Sequence, residues 1–358
     1  MNSVYNVIGL MSGTSLDGLD IAGVMLTDHN NNWSFEILCC ESIAYSQTIK
    51  NTLAKATQSS AIDLAEMDLA LGDFFGNAVN RFITKNNFKP DFISSHGHTV
   101  FHQPKKRLTT QIGSANRVHA LTGVPVIYDF RSLDVQLGGQ GAPLVPVGDV
   151  LLFSSYDACL NLGGISNISY DFNGQRNAYD VCALNIIFNY YSRILGFELD
   201  ESGQMAREGS VNPELSNFLT NLDYYQLNAP KSLGFEDIEK DILIPVKAFE
   251  VSANDCLRTF AEHFSDILAD SIFRVERIKK ILVTGGGVFN LYFIELLKKK
   301  LGGIEVCIPD RKIIEFKEAL VFALMGALRL RGEDNVLASV TGASRNSCSG
   351  SIIGVVGL

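Results

Sequence analysis

The sequence predicts an α/β protein of two domains, and three observations carry that reading. Its 358 residues are about twice the roughly 150 residues of a typical domain. An apolar content of 46% and 31 glycines describe a packed chain with many tight turns, not a disordered one. One pattern also occurs once in each half, at residues 4–26 and 158–170: a β-prone apolar run, a glycine loop and a second β-prone run.

The first of these loops holds Gly9-Leu10-Met11-Ser12-Gly13-Thr14-Ser15-Leu16-Asp17-Gly18-Leu19-Asp20. Gly13 is free to take a positive φ, so successive N–H groups can face one concavity, and Thr14 and Ser15 add hydroxyl donors. Such a nest suits phosphate oxygens. Asp17 follows, where a carboxylate can hold a hydrated Mg²⁺ beside phosphate. For a bare Gly-Thr-Ser triplet the ordinary hairpin loop is the better reading; two further glycines and two aspartates favour phosphate. A Walker A loop is excluded because no lysine follows Gly13, and a dinucleotide fingerprint because a strand, not a helix, follows the glycines.

This string resembles the opening of the anhydro-N-acetylmuramic acid kinases. The resemblance implies an actin-like, ribonuclease H-like fold of two domains with nucleotide in the cleft between them. It also implies a cytoplasmic enzyme of bacterial cell-wall recycling, a homodimer, and ATP with Mg²⁺ as cofactors. Domains are expected at residues 1–127 plus about 333–358, and at 128–332.

Composition sets bounds. The formal charge of −9 disfavours nucleic acid or an anionic membrane as partner. Seven cysteines without CxxC spacing read as reduced thiols. The N-terminus lacks the basic region and cleavage site of a signal peptide. The longest apolar stretch, residues 319–328, is too short for a bilayer. A cytoplasmic location is expected.

Along the chain, residues 33–45 read as a third strand after a polar turn. Ser60 caps a long helix with Asp63 as capping-box partner, and its apolar face is core. His96, His98 and His102 invite a metal reading, but no cysteine or carboxylate is near and the spacing is not that of a helical zinc pair. A polar loop at a strand end is preferred. The segment resembles the family's S-H-G-Q-T-V, so His96 and Gly97 match as substrate residues, while His98 replaces a glutamine. Arg131 is a fork suited to a carboxylate, although a lone arginine is more often a surface or ion-pair residue. Gly139, Gln140 and Gly141, before Pro143, allow a substrate to approach the backbone or mark a linker. These elements resemble the family's DFR-x-x-D and GGQGAPLVP, which border the sugar.

In the second half, Asn161, Gly163 and Gly164 form the second phosphate-facing turn, and Asn173-Gly174 is a hairpin signal. Asp180 is placed at a strand's end before a helix. There it is either a general base or a plain helix N-cap. The resemblance favours the base, with Asn185 as a substrate residue, yet Val181-Cys182-Ala183-Leu184 replace the family's T-G-P-G. Lys231-Ser232-Leu233-Gly234-Phe235-Glu236 resembles P-K-S-T-G-R-E. Gly285, Gly286 and Gly287 lie between strand and helix, where a planar base can pack, and with Asn290 resemble the family's adenosine element. Glu318, read as a first-turn glutamate of the last long helix, is by resemblance the second carboxylate.

The implied reaction opens 1,6-anhydro-N-acetylmuramic acid with water and phosphorylates O6, with Asp180 and Glu318 catalytic. The alternatives are a kinase of the same fold acting on an ordinary sugar hydroxyl, and a non-catalytic nucleotide or sugar sensor.

Overall fold

The structure, a computed structural model, describes residues 3–229 and 231–357. The chain divides into one unit of Met1–Leu152 with Phe316–Leu358, and another of Phe153–Glu315.

The first unit contains β1 (Ser3–Ser12), β2 (Gly18–His29), β3 (Asn32–Ala44), β4 (Phe92–Gln103), β5 (Leu108–Ile112), β6 (Val126–Tyr128) and, near the chain's end, β12 (Ser351–Ile353). Its sheet runs β12-β6-β4-β1-β2-β3, with β5 paired to β4. The first three strands form an antiparallel meander, and β4 and β6 add in parallel. Asn30 and Asn31, with φ of 55° and 68°, make the tight turn that keeps β2 and β3 in register. The helix Ala61–Asn86 starts at the Ser60/Asp63 capping box and buries Leu71, Phe75, Val79 and Phe82. The helix Arg311–Arg331 buries residues 319–328. It approaches β1 so closely that a Cβ on Gly9 would lie 2.0 Å from the Ala319 carbonyl oxygen.

The second unit contains β7 (Ala158–Leu162), β8 (Ile165–Phe172), β9 (Gln175–Ala183), β10 (Lys280–Thr284) and β11 (Glu305–Cys307), ordered β11-β10-β7-β8-β9. Again three antiparallel strands are followed by two parallel ones. Counted within its own unit, and leaving β5 and β12 aside, each sheet reads 5-4-1-2-3. Asn173 and Gly174 both take positive φ, as the hairpin signal requires. The helix Ala253–Phe273, capped by Ser252, buries Leu257, Phe260, Phe264 and Leu268 in this unit's core.

The division of the chain differs from the expected boundaries at residues 127/128 and 332/333. Residues after β6 stay on the first unit: Gly141 N donates to Asp134 Oδ2 at 2.7 Å, Gln140 N donates to the Thr341 carbonyl at 2.8 Å, and Lys317 Nζ pairs with Asp149 Oδ1 at 2.7 Å. The long last helix, whose residues join the first unit from Phe316 on, carries no glycine or proline at the change-over for a sequence reading to catch.

Candidate active site

The first glycine turn joins β1 to β2. Leu16 N donates to the Gly13 carbonyl at 3.3 Å. The positive φ falls on Leu16, at 61°, and not on Gly13 as expected. Leu16 adopts that conformation while Leu19 beside it is buried and Asp17 faces water. Thr14 and Ser15 are exposed, so their hydroxyls and Asp17 are open to a ligand. Ser12, at the root of the turn, is buried and contacts Tyr45 OH at 2.6 Å and His98 Nδ1 at 3.0 Å. His98, the residue in place of the family glutamine, therefore braces the turn from below.

Arg131, His96 and Glu318 form one electrostatic group. Arg131 Nε donates to His96 Nε2 at 2.9 Å, and Arg131 Nη1 donates to the Gly141 carbonyl at 2.5 Å. A guanidinium only donates, so Nε2 accepts and the imidazole proton sits on Nδ1, which donates to the Gly97 carbonyl at 2.9 Å. Burial and the neighbouring Arg131 charge hold His96 well below the usual imidazole range, so it is neutral. Burial pushes Arg131 down to about 10, against the pull of Glu318 and Asp134, and it stays charged at neutral pH. Glu318 is exposed, yet desolvation by surrounding protein raises its carboxyl, assisted by Asp20 and opposed by Arg131 and Lys317. Asp20 itself accepts from Ser42 Oγ at 2.5 Å.

Two sequence readings change here. Glu318 lies in the middle of Arg311–Arg331, so the helix dipole does not account for it. The glycine at 139 is required by the protein's own packing, because the Gly139–Gly141 loop wraps an aspartate: a Cβ on Gly139 would lie 2.2 Å from Asp134 Oδ2. Gln140 remains exposed. A cavity of about 550 Å³ in this unit is lined by His96 and Gly97 and also by Asp68, Gln111, Gly113 and Asp129. None of those four is singled out as a site residue by the sequence, although Asp129 opens the DFR-x-x-D element. Asp129, with φ of 60°, is the one of them whose strain marks it, and strain is invisible in a sequence.

In the second unit, Asn161, Asn185 and the glycine turns converge. A Cβ on Gly285, whose φ is 86°, would lie 2.6 Å from Asn161 Oδ1, and one on Gly287 would lie 2.8 Å from Leu162 Cβ. Gly286, by contrast, faces open space, its nearest neighbour being Asn185 Nδ2 at 3.9 Å. The Gly163 and Gly164 carbonyls accept from Asn185 N at 3.3 Å and Ile186 N at 3.2 Å, so they cap the helix Asn185–Ile194. A cavity of about 850 Å³ is lined by Asn185, Gly286, Gly287, Phe289, Asn290 and Arg311, among others. That volume suits a nucleoside. Asn185, expected on the sugar, thus lies beside Gly286 and Gly287, the residues expected on the nucleotide, while Asn290 Oδ1 is engaged as a helix cap by Phe293 N at 3.0 Å.

Asp180 is not at a strand end. β9 runs on to Ala183, and Leu184 precedes the helix, so the N-cap reading fails. A bulge at Val181 interrupts pairing, since Asn167 faces Asp180 and Ser166 faces Cys182; bulges re-aim side chains in this way. Asp180 Oδ2 accepts from Leu233 N at 3.0 Å and Ser232 Oγ at 3.1 Å. Burial raises its carboxyl, and those two donors lower it. Val181, Cys182, Ala183 and Leu184 are all buried in the core of the unit.

Among the described residues no group of three or more His, Cys, Asp or Glu could cage a metal. The exposed Asp17 fits the other mode, in which one carboxylate holds a hydrated Mg²⁺ that phosphate oxygens also ligate. Among the described residues, too, no helix is long and apolar enough to cross a membrane.

Two copies of one strand order, each opened by a glycine-turned hairpin, define a two-domain protein of the actin-like, ribonuclease H-like class. The family model described as anhydro-N-acetylmuramic acid kinase matches residues 5–354. The anhydro-N-acetylmuramic acid kinase of Sulfurimonas denitrificans is 33% identical over 366 residues, covering 96% of this chain and 98% of that protein. That of Vibrio parahaemolyticus is 34% identical over 362 residues, with 96% of each covered, and that of Bacillus thuringiensis 31% over 381 residues, with 98% of each. The chain belongs to the anhydro-N-acetylmuramic acid kinase family and is an enzyme, a phosphotransferase.

Proposed function

We propose that this enzyme uses ATP and water to convert 1,6-anhydro-N-acetylmuramic acid into N-acetylmuramate 6-phosphate, a step of cell-wall recycling. The observation that carries the reading is Asp180, a partly desolvated carboxylate held through one oxygen. In the anhydro sugar, O6 is locked in an internal acetal and has no proton to give. Water attacks C1, the C1–O6 bond breaks, and O6 takes the γ-phosphoryl group as ADP leaves. The water's proton goes to Asp180. Desolvation raises the basicity of that carboxylate, which suits a general base.

In this reading Arg131, locked to His96 and Gly141, presents a fixed positive charge to the sugar's carboxylate, and Glu318 orients the attacking water. Thr14, Ser15, Gly18 and the Gly163–Gly164 turn border the phosphates, and the Gly286 face takes the base. Mg²⁺ at Asp17 supplies charge neutralisation for phosphoryl transfer. The resemblance adds a cytoplasmic homodimer.

ATP consumption with the anhydro sugar, with the free sugar and with neither tests the function. Turnover with the anhydro sugar alone, with ¹⁸O from labelled water on C1 of the product, is the expected result. Turnover with the free sugar and no label at C1 means ordinary hydroxyl phosphorylation, and no turnover at all means a sensor.

A further inference from the structure

Asp180 is gripped from one side by the Lys231–Gly234 segment. Asp180 N donates to the Lys231 carbonyl at 3.1 Å, and Tyr224 OH donates to the Asp180 carbonyl at 2.6 Å. These bonds fix the backbone of the carboxylate. Both side-chain contacts then fall on Oδ2, from Ser232 Oγ and Leu233 N, which leaves Oδ1 as the oxygen to take a proton. The segment is anchored at both ends. Lys231 Nζ donates to the Tyr224 carbonyl at 3.0 Å and lies 4.5 Å over the Tyr224 ring. Gly234 N donates to Asp237 Oδ2 at 2.9 Å, at the start of the helix Phe235–Ile238. Leu233 is buried in the core, whereas Ser232 is exposed. An exposed serine adds little packing, so its hydroxyl is there for Asp180.

We propose that Ser232 and the main-chain N–H of Leu233 form a two-donor clamp that dictates which oxygen of Asp180 meets the reacting water, which makes Ser232 a positioning residue of the reaction. This rests on the reading of Asp180 as the base. The clamp has a second consequence. Hydrogen bonds to the charged form favour it, so the Ser232 hydroxyl keeps Asp180 ionised against the desolvation that would protonate it. The ionisable groups around Asp180 include Tyr179 and Cys182 on the same strand, Tyr224 and Tyr225 on the adjacent turn, Lys231 on the clamping segment, Asp237 on the helix that follows it, and Arg274 acting on Tyr179 and Lys231. Burial holds the Cys182 thiol and the Tyr224 and Tyr225 phenols in their neutral forms through the weakly acidic range.

The test is the pH profile of ATP turnover with the anhydro sugar for the wild type, Ser232→Ala, Ser232→Thr and Asp180→Asn, each checked for an unchanged thermal melt. Loss of the hydroxyl raises the Asp180 pKa, so the acid limb of kcat for Ser232→Ala moves up by about one pH unit, a roughly tenfold loss on that limb. KM for ATP stays unchanged, and Ser232→Thr, which keeps the hydroxyl, restores the profile. An acid limb that does not move in Ser232→Ala, or a threonine variant as impaired as the alanine one, overturns the clamp. Asp180→Asn separates the two levels: wild-type turnover in that variant overturns the base itself, whereas an inactive Asp180→Asn beside an unmoved Ser232→Ala limb overturns the clamp alone.

Discussion

Gly9→Ala tests how closely the last helix must approach β1. The added Cβ would lie 2.0 Å from the Ala319 carbonyl oxygen and 2.8 Å from its carbon. Both are main-chain atoms in the middle of a helix and cannot swing aside. A close carbon–oxygen contact is about 3.3 Å, so the helix would have to retreat by about 1.3 Å. Overpacking of this kind costs about 1–3 kcal/mol. For a unit of this size about 2 kcal/mol lowers the melting temperature by about 4–8 °C. Glu318 immediately precedes Ala319, so the same retreat displaces a carboxylate assigned to the reaction, and a misplacement of about 1 Å costs about a hundredfold in rate. Calorimetry and ATP turnover measure the two effects on one sample. Gly303→Ala is the control, because nothing lies within 4 Å of its Cβ position, and it should melt like the wild type. A Gly9→Ala protein that melts and turns over like the wild type would refute the packing argument and the placement of Glu318 with it.

Lys317→Met removes one partner of a buried ion pair whose side chains are 8% and 5% exposed; breaking a buried pair should cost about 3–5 kcal/mol in urea-unfolding free energy. Arg131→Lys loses the planar fork that reaches His96 Nε2 and the Gly141 carbonyl at once. It should lower turnover at least about tenfold with little change in ATP affinity, and unchanged turnover would remove Arg131 from the site. Burial pushes His263 down to about 4, so the unfolded chain takes up a proton below its usual value of about 6.5 that the folded one does not. Stability from His263 is thus present above that pH and is lost as pH falls towards 4, by about 3 kcal/mol at full extent. Denaturant melts at pH 7, 6 and 5 should show a shallower decline in His263→Phe, and parallel declines would contradict the assignment.

The elements written in local chemistry were legible. Ser60 with Asp63, and Asn173-Gly174, each state their geometry in the residues that need it. The glycine turns were legible as places, though not in conformation, since φ turned positive at Leu16 and not at Gly13. What escaped were properties of tertiary pairing. The start of the last helix at Arg311 carries no break signal that separates it from Glu318. The purpose of Gly139 depends on where Asp134 folds to. Asp68 donates nothing periodic to its helix, yet its Oδ1 accepts from Gly113 N at 2.8 Å beside a cavity. Only the last is a meeting of residues far apart in the chain; the other two turn on how a segment packs once folded.

The same reasoning bears on the one segment where the sequence leaves its family pattern. Val181-Cys182-Ala183-Leu184 replace a Thr-Gly-Pro-Gly run, a change that invites doubt about the sugar. All four side chains are buried with Leu160, Leu162, Ile187 and Phe188 in the core of their unit, and Leu184 N donates to the Gly164 carbonyl at 2.9 Å. Side chains facing a core do not select a substrate. The apolar residues extend β9 as a strand, and the bulge at Val181 turns Asp180 against the Ser232–Leu233 donors. The substitution therefore alters how the aspartate is carried, and under the proposed function specificity falls to Arg131, through its fixed guanidinium, and to the exposed Gln140.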